Sequence, residues 1–250
     1  VDLREGAHHS GNWGGLLADP AMILAQALSM ITDARGQIRV SEWRPTSLTD
    51  DIRRALSTLP LENDEGPDID ENWGEESLTP AERVFGWNSF AVLAMHSGVP
   101  EAPVNAISAH ARAACQLRFV VGTDQDDVLP ALRRHLDAHG FESVQIVPHD
   151  RGFFDATRLS PDHPWVDFVA RVLEEATGRP PHILPNLAGS LPNEVFADIL
   201  GVPTVWVPHS YRGCSQHAPN EHMLKSVARD ALIAMTALFW DIGEAAPVRA

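Results

Sequence analysis

The chain has 250 residues, enough for one large or two modest domains that each bury a core, and two domains are expected. Its hydrophobic share of 44% and charged share of 21% are those of a globular protein, and no apolar run reaches the roughly 18 to 20 residues of a membrane span, so we expect solubility without a membrane partner. The formal net charge of −15, without a basic stripe, argues against nucleic acid and leaves small molecules or proteins as partners.

The two cysteines and the first residues bear on the cellular setting. Cys115 and Cys214 lack the paired spacing of a zinc knuckle or a redox motif, which favours a reduced, cytoplasmic protein, although a single bridge between them stays open. Residues 1–4 are followed by polar residues rather than an apolar stretch, so no signal peptide is expected. The chain also lacks an initiator methionine, which predicts that it is cut from a longer one.

The first half of the sequence predicts a ferredoxin-like domain over residues 1–149. Asp19 and Pro20 begin a helix, because aspartate caps free N–H groups and proline suits the first turn. The other predicted elements are an extended segment at 1–10, strands at 38–40, 89–94, 111–121 and 144–147, and a helix at 126–139. The strands at 89–94 and 111–121 are expected to pair. The resulting order of strand, helix, strand, strand, helix and strand is a split βαβ arrangement.

A polar insertion over residues 41–87 interrupts this order. Residues 48–59 predict a helix, while 62–76 are acidic and contain glycine and proline. Oxygen ligands for a calcium loop occur in close order at Asp64, Asp68, Asp70 and Glu71. They lack the glycine and terminal glutamate of such a loop, so a solvated surface insertion is favoured.

The pattern changes after Pro148, where residues 150–250 predict part of an α/β domain. Helices are predicted at 164–177, 191–200 and 222–239, with short strands at 181–184 and 203–207. Alternating helices and apolar strands are typical of a largely parallel sheet. Two strands cannot form such a sheet alone. We therefore expect further strands to precede Val1 and the first domain to be inserted between two halves of the second.

Two loops in the second half carry residues suited to chemistry. His217 lies in a polar loop before the last helix, where a neutral imidazole can bind a metal, although a surface or capping histidine is more common there. Gly189 and Ser190 precede a predicted helix, whose free N–H groups favour a carboxylate. Ser190 is equally well explained as an N-cap.

Several motifs in order carry a resemblance to one family. They are Gly-Ser-Leu-Pro at 189–192, Leu-Gly-Val-Pro at 200–203, His-Ala-Pro-Asn-Glu at 217–221, His-Ser-Gly-Asn-Trp-Gly-Gly at 9–15, and a segment from Asn-Ala-Ile to Gln-Leu-Arg-Phe at 105–119. Together they resemble the family-twenty zinc metallopeptidases. That family includes carnosinase, aminoacylase, acetylornithine deacetylase, succinyl-diaminopimelate desuccinylase and carboxypeptidase G. The chain resembles the lid, or dimerisation domain, and the end of the catalytic domain.

The resemblance implies roles for particular residues. His217 would be a zinc ligand, and His9 would reach from the lid of one subunit into the active site of its partner, where it polarises the substrate carbonyl or stabilises the oxyanion. The guanidinium of Arg118 would bind the substrate's terminal carboxylate, against the alternative of a surface salt bridge. The remaining substrate contacts would be Asn105, Gly189 and Ser190.

The implied activity is hydrolysis of an amide bond beside a free carboxylate, in a dipeptide or an N-acyl amino acid, by a homodimer formed through the lid. A complete family site holds two zinc ions about 3.5 Å apart. Its other ligands are a His-x-Asp pair, a bridging aspartate, a Glu-Glu pair and a further carboxylate, all before the lid. Such a set is missing from this sequence, so we expect the polypeptide to be inactive alone and to bind zinc weakly or not at all. The His-Ser-Gly run favours dipeptides.

Other interpretations stay open. In one alternative, the fragment is a non-enzymatic dimerisation module. In another, its parent protein is a pseudo-enzyme that keeps His217 after losing other ligands. A serine hydrolase that uses Ser190 and His217 is disfavoured, because Gly-Ser-Leu-Pro is not the Gly-x-Ser-x-Gly elbow of a strained nucleophile.

Overall fold

The computed structural model describes residues 1–59, 68–149, 154–187 and 189–247 of the chain. The chain divides into two compact units. The first comprises Val1–Ser47, Asn72–Thr79 and Trp87–Phe153, and the second comprises Leu48–Glu71, Pro80–Gly86 and Phe154–Ala250. Residues 48–71 and 80–86 of the insertion at 41–87 thus group with the second unit, and residues 41–47 and 72–79 group with the first. The predicted limits of the two domains stay a prediction.

The helices and strands confirm the mixed α/β class. In chain order they are β1 (His8–His9), α1 (Ser10–Trp13), α2 (Pro20–Ile31), α3 (Asp50–Ser57), α4 (Pro80–Phe85), β2 (Ser89–Ser97), β3 (Ala106–Ile107), β4 (Ala111–Arg118), α5 (Val128–Ala138), α6 (Pro164–Thr177) and α7 (Lys225–Ala245). Shorter helical turns lie at Ser41–Trp43, Gln125–Asp127, Val195–Ile199 and Arg212–Cys214. Helix α4 is an element that the sequence interpretation missed.

The described residues of the first unit form two small antiparallel sheets. Strand β2 pairs with β4, as predicted, with Ser89 opposite Arg118 and Ser97 opposite Ala111. Strand β1 pairs with β3, so that the N-terminal extended segment also joins a ladder. The predicted strand at 38–40 is reduced to a single bridge from Ile38. The predicted strand at 144–147 does not form. Val144 is buried in the core and Ile146 packs against it, whereas Val147 is exposed.

Helix α2 shows how local sequence places this unit's core. The Asp19 carboxylate accepts hydrogen bonds from the N–H groups of Ala21 and Met22, a cap that contributes about 1 kcal/mol. Leu24, Ala27 and Ile31 then face inward at helical spacing. Ala27 and Ile31 belong to a core cluster whose other members are Ile38, Val40, Trp43, Val128, Ala131, Leu136 and Val144.

The second unit is built on helices. Helix α6 starts at a cap from the His163 ring, which accepts from the N–H of Trp165, and ends at Gly178, whose φ of 71° suits glycine. A core cluster joins α6 to α7 through Phe168, Val169, Val172 and Leu238. Helices α3 and α4 form a separate cluster around Ile52, Leu56 and Ala81.

Several predicted elements of the second unit are not formed in the described residues. Neither 181–184 nor 203–207 belongs to a sheet, because an extended segment needs a hydrogen-bonding neighbour to become a strand. Val205 and Val207 instead pack against the α6–α7 cluster. The helix predicted at 191–200 shrinks to the turn Val195–Ile199, and the last helix begins at Lys225.

Two further findings concern the chain's chemistry and its surroundings. Both Cys115 and Cys214 are unpaired, so the bridge left open by the sequence is not formed. Across the described ranges, no helix combines the length and apolar character needed to cross a membrane.

Candidate functional site

His9 and Asn105 are brought together by the β1–β3 ladder. His9 lies opposite Ala106, and the next residue, Ser10, donates its N–H and its hydroxyl to the Asn105 carbonyl at 2.9 and 3.1 Å. Both His9 and Asn105 are exposed. Regular backbone pairing thus places two of the predicted residues side by side in the first unit.

The His9 ring is oriented by its neighbours. Its Nδ1 accepts from the N–H of Gly11 at 3.0 Å, so the neutral ring carries its proton on Nε2. A Cβ on Gly11 would come within 2.6 Å of the ring carbon Cε1, so glycine leaves room for this geometry. The arrangement gives His9 an Nε2–H donor on an exposed side chain.

The adjacent histidine has a different environment. His8 is half-buried, and its ring packs edge-on against Trp13 with 6.1 Å between ring centroids. Successive side chains of a strand point to opposite faces. The exposed member of the pair is therefore His9, which the resemblance also singles out.

Arg118 ends strand β4, in the other sheet of the first unit. Its backbone lies opposite Ser89, and the residue is exposed. The ladders that join His9 and Asn105 do not include Arg118.

Gly189 and Ser190 are exposed residues of the second unit, outside regular structure. The helix expected directly after them does not form. The next helical turn begins at Val195, and its N-cap is Glu194. Ser190 is therefore not the N-cap of a helix, and the argument that helix N–H groups bind an anion there is wrong.

Hydrogen bonds of two asparagine side chains, which the sequence interpretation missed, fix the segments on either side of Gly189. Asn186 is buried and hydrogen-bonded to Phe85 and Arg158, and Asn193 is hydrogen-bonded to Thr157 and Trp206. Burial lowers the pKa of the Arg158 guanidinium. These contacts span 13 to 101 positions, so no local pattern could have indicated them.

His217 lies in a loop with an unusual backbone. The non-glycine residues with positive φ in the described ranges are Ser215, His217 and Asn220, at 58°, 61° and 64°. Each such residue costs roughly 1–2 kcal/mol. Strain of this kind concentrates at functional sites, where the surrounding structure maintains it.

The loop is held by a few hydrogen bonds around buried Cys214. The N–H of Ala218 donates to the Ser215 carbonyl at 2.9 Å, and that of His222 donates to the Cys214 carbonyl at 3.0 Å. The His217 side chain is exposed. The hydroxyl of Tyr211, close by in sequence, is buried without a hydrogen-bond partner among the described residues.

The donor set of the described residues does not make a zinc site. No group of three or more His, Cys, Asp or Glu side chains in them could hold a metal ion. His217 by itself supplies one nitrogen, whereas a catalytic zinc takes three protein ligands. The described residues alone therefore do not fit a zinc ion.

Comparison with known proteins gives a family and a fold. Residues 2–144 match the model of a family described as the peptidase dimerisation domain. No curated protein matches the chain.

Similar solved structures cover nearly all of the chain. An M20 family metallo-carboxypeptidase from Sulfolobus solfataricus has a TM-score of 0.78 and 22% identity, over 95% of this chain and 55% of its own. The dipeptidase Dug1p from Saccharomyces cerevisiae has a TM-score of 0.69 and 17% identity, over 95% of this chain and 51% of its own. Human carnosine dipeptidase 1 has a TM-score of 0.69 and 19% identity, over 97% of this chain and 53% of its own. The chain thus has their fold and spans about half the length of each.

Proposed function

Because the chain belongs to the M20 peptidase dimerisation domain family, we propose that it forms the lid and the C-terminal part of the catalytic domain of a zinc-dependent peptidase. The observation that carries this proposal is the family match over 2–144, joined to structural likeness across 95% of the chain. The substrate is a dipeptide or an N-acyl amino acid with a free carboxylate, and the dipeptide is favoured. The unpaired state of both cysteines supports a cytoplasmic setting.

We assign His9 the role of a hydrogen-bond donor to the substrate carbonyl oxygen. Its exposed ring, with Nδ1 occupied by the Gly11 N–H, presents Nε2–H outward from the lid. A donor aimed at the oxygen that becomes negative lowers the barrier, and removal of one such donor costs about 10²–10³ in kcat. The family resemblance implies that His9 acts in the active site of the partner subunit.

The same reasoning assigns binding roles to the other residues. The Arg118 guanidinium binds the substrate carboxylate, since its planar fork matches two carboxylate oxygens. Asn105, Gly189 and Ser190 contact the substrate. His217 is one zinc ligand. The other ligands of a two-zinc site come from the part of the enzyme that this chain does not include, because the described residues do not fit a zinc ion alone.

Homodimerisation is supported by the exposed surface of strand β2. In the described residues β2 pairs only with β4, so its other edge is open. Val92, Leu93 and Met95 are exposed on this strand. An open edge with apolar side chains is a template for pairing with another strand. A second copy of β2 would pair with the free backbone groups of this edge and cover its apolar side chains.

The test compares this chain with a version extended upstream in the gene. We expect the extended protein to contain about two zinc ions per subunit by atomic emission and to hydrolyse dipeptides, while this chain does neither. His217→Ala in the extended protein should remove zinc and activity, and His182→Ala, at another exposed histidine of the second unit, should not. An extended protein without metal or activity would overturn the proposal and favour a dimerisation module.

A further inference from the structure

Asn186 lies three residues before Gly189 and uses both ends of its amide. Its Oδ1 accepts from Arg158 Nε at 3.2 Å, and its Nδ2 donates to the Phe85 carbonyl at the end of α4. The residue is 9% exposed. A donor on one side and an acceptor on the other fix the orientation of the amide.

Asn193 lies three residues after Ser190 and is held in the same way. Its Nδ2 donates to Thr157 Oγ1 at 2.6 Å, and its Oδ1 accepts from the Trp206 indole N–H at 2.8 Å. Its backbone carbonyl also accepts from the N–H groups of Phe196 and Ala197. Both the side chain and the main chain of Asn193 are therefore engaged.

The two asparagines share an anchor, since Thr157 and Arg158 are adjacent in sequence. One contact spans 28 positions and the other spans 36. Gly189 and Ser190 lie between these contacts, and neither belongs to a helix or a strand. Side-chain hydrogen bonds thus take the place that a ladder takes around His9.

We propose that Asn186 and Asn193 are positioning residues that clamp both ends of the Gly189–Ser190 loop to Thr157–Arg158 and so hold it for the substrate contact assigned to Gly189 and Ser190. The substrate assignment rests on the proposed function, whereas the clamp rests on the hydrogen bonds alone. The contact with Phe85 gives the insertion a role, because it supports Asn186 from helix α4.

The clamp is tested on this chain by hydrogen exchange. In Asn193→Ala the amides of Phe196 and Ala197 should exchange about tenfold faster, the change expected for loss of one hydrogen bond. Thr157→Val, which removes the hydroxyl, should have the same effect, and Thr157→Ser, which keeps it, should match the wild type. Asn72→Ala, at an exposed asparagine of the first unit, is the control. Unchanged exchange in Thr157→Val overturns the clamp.

The positioning role is tested in the extended enzyme with a dipeptide substrate. Asn186→Ala and Thr157→Val should raise KM about tenfold, with kcat within a factor of three. Thr157→Ser should restore the wild-type KM, and Asn72→Ala should leave KM unchanged. An unchanged KM in Asn186→Ala and Thr157→Val, or an equal rise in Asn72→Ala, overturns the positioning role. An inactive wild-type enzyme defeats the proposed function, and the exchange measurement still decides the clamp.

Discussion

The two units hold their candidate residues by different means. In the first unit His9 and Arg118 belong to strands, and Asn105 lies beside one, so backbone ladders determine where these residues are. In the second unit Gly189, Ser190 and His217 lie outside helices and strands. Side-chain hydrogen bonds hold the segment around Gly189 and Ser190, and a few backbone hydrogen bonds hold the strained loop of His217. The difference suggests that single substitutions will move the loops of the second unit more easily than the strands of the first. The predictions below test this, from the largest expected effect to the smallest.

Removal of the His9 ring should have the largest effect on catalysis with the least effect on structure. In the extended enzyme His9→Ala should lower kcat about 10²–10³-fold, because one hydrogen-bond donor to the oxyanion is lost. The fold should be retained, since the exposed ring is not needed by the β1–β3 ladder. Steady-state kinetics and circular dichroism measure both, with His8→Ala as the adjacent control.

Mixing of inactive subunits tests whether His9 acts across the dimer. A one-to-one mixture of His9→Ala and His217→Ala subunits of the extended enzyme should recover roughly a quarter of wild-type activity, because half of the dimers are mixed and each mixed dimer has one complete site out of two. Activity that stays at the level of the separate variants would place His9 in its own subunit's site.

A charge on the open edge of the first unit should weaken the dimer. Leu93 is 63% exposed on β2, and Leu93→Glu would bring two carboxylates together where two copies of this strand meet. We expect the dissociation constant to rise at least about tenfold, measured by analytical ultracentrifugation. Val99→Glu, at a similarly exposed position outside the strand, is the control. Equal association of both variants would mean that β2 is not the interface.

A methyl group on Gly11 should disturb the His9 ring without removing it. The added Cβ would meet ring atoms at 2.6 and 3.0 Å, so the ring must turn away and lose its hydrogen bond to the Gly11 N–H. We expect activity of the extended enzyme to fall about tenfold, since small displacements of a catalytic group are costly. Gly15→Ala is not a suitable control because Gly15 has a φ of 79°. Asn12→Ala, at an exposed position of α1, leaves the ring contact intact and is the control. A kcat unchanged by Gly11→Ala would argue against a role for the ring's orientation.

Relief of strain in the second unit should raise stability modestly. Ser215→Gly removes a left-handed strain of roughly 1–2 kcal/mol, offset by about 0.5–1 kcal/mol of unfolded-state entropy. The expected net gain in free energy of unfolding is about 0.5–1 kcal/mol, measured by urea denaturation. A loss of stability would mean that the Ser215 side chain contributes more than its backbone conformation costs.

The turn after α2 should give a small pH dependence to the first unit. The pKa of Asp33 is lowered chiefly by the hydrogen bond from the Gln37 N–H, with further hydrogen bonds from the Arg35 N–H and the Gln37 side chain. A carboxyl with a lowered folded-state pKa stabilises the fold above its unfolded pKa of about 3.9 and loses that contribution as the pH falls through the lower value. Thermal unfolding between pH 2.5 and pH 6 should therefore depend slightly less on pH in Asp33→Asn than in the wild type. An unchanged profile would remove Asp33 from the acid response.

Sequence alone placed the elements whose signals are local. The Asp19 cap and apolar spacing predict helix α2, apolar runs predict strands β2 and β4, and the sequence pattern predicts a helix at 164–177, where α6 forms. The family resemblance came from short motifs in order, and the match over residues 2–144 confirms it. Their roles in catalysis stay predictions, because the described residues do not complete a metal site.

Tertiary structure decided the features that depend on distant partners. Residues 203–207 have a strand-like sequence but find no ladder in the described residues, since a strand requires a neighbour that its own sequence cannot specify. Helices α3 and α4 group with the second unit, where Ile52 and Ala81 pack in one cluster and the Phe85 carbonyl accepts a hydrogen bond from the distant Asn186. The roles of Asn186 and Asn193 follow from hydrogen bonds to Arg158 and Thr157, which lie 28 and 36 positions away in sequence. Such side-chain hydrogen bonds depend on spatial position and not on local sequence pattern.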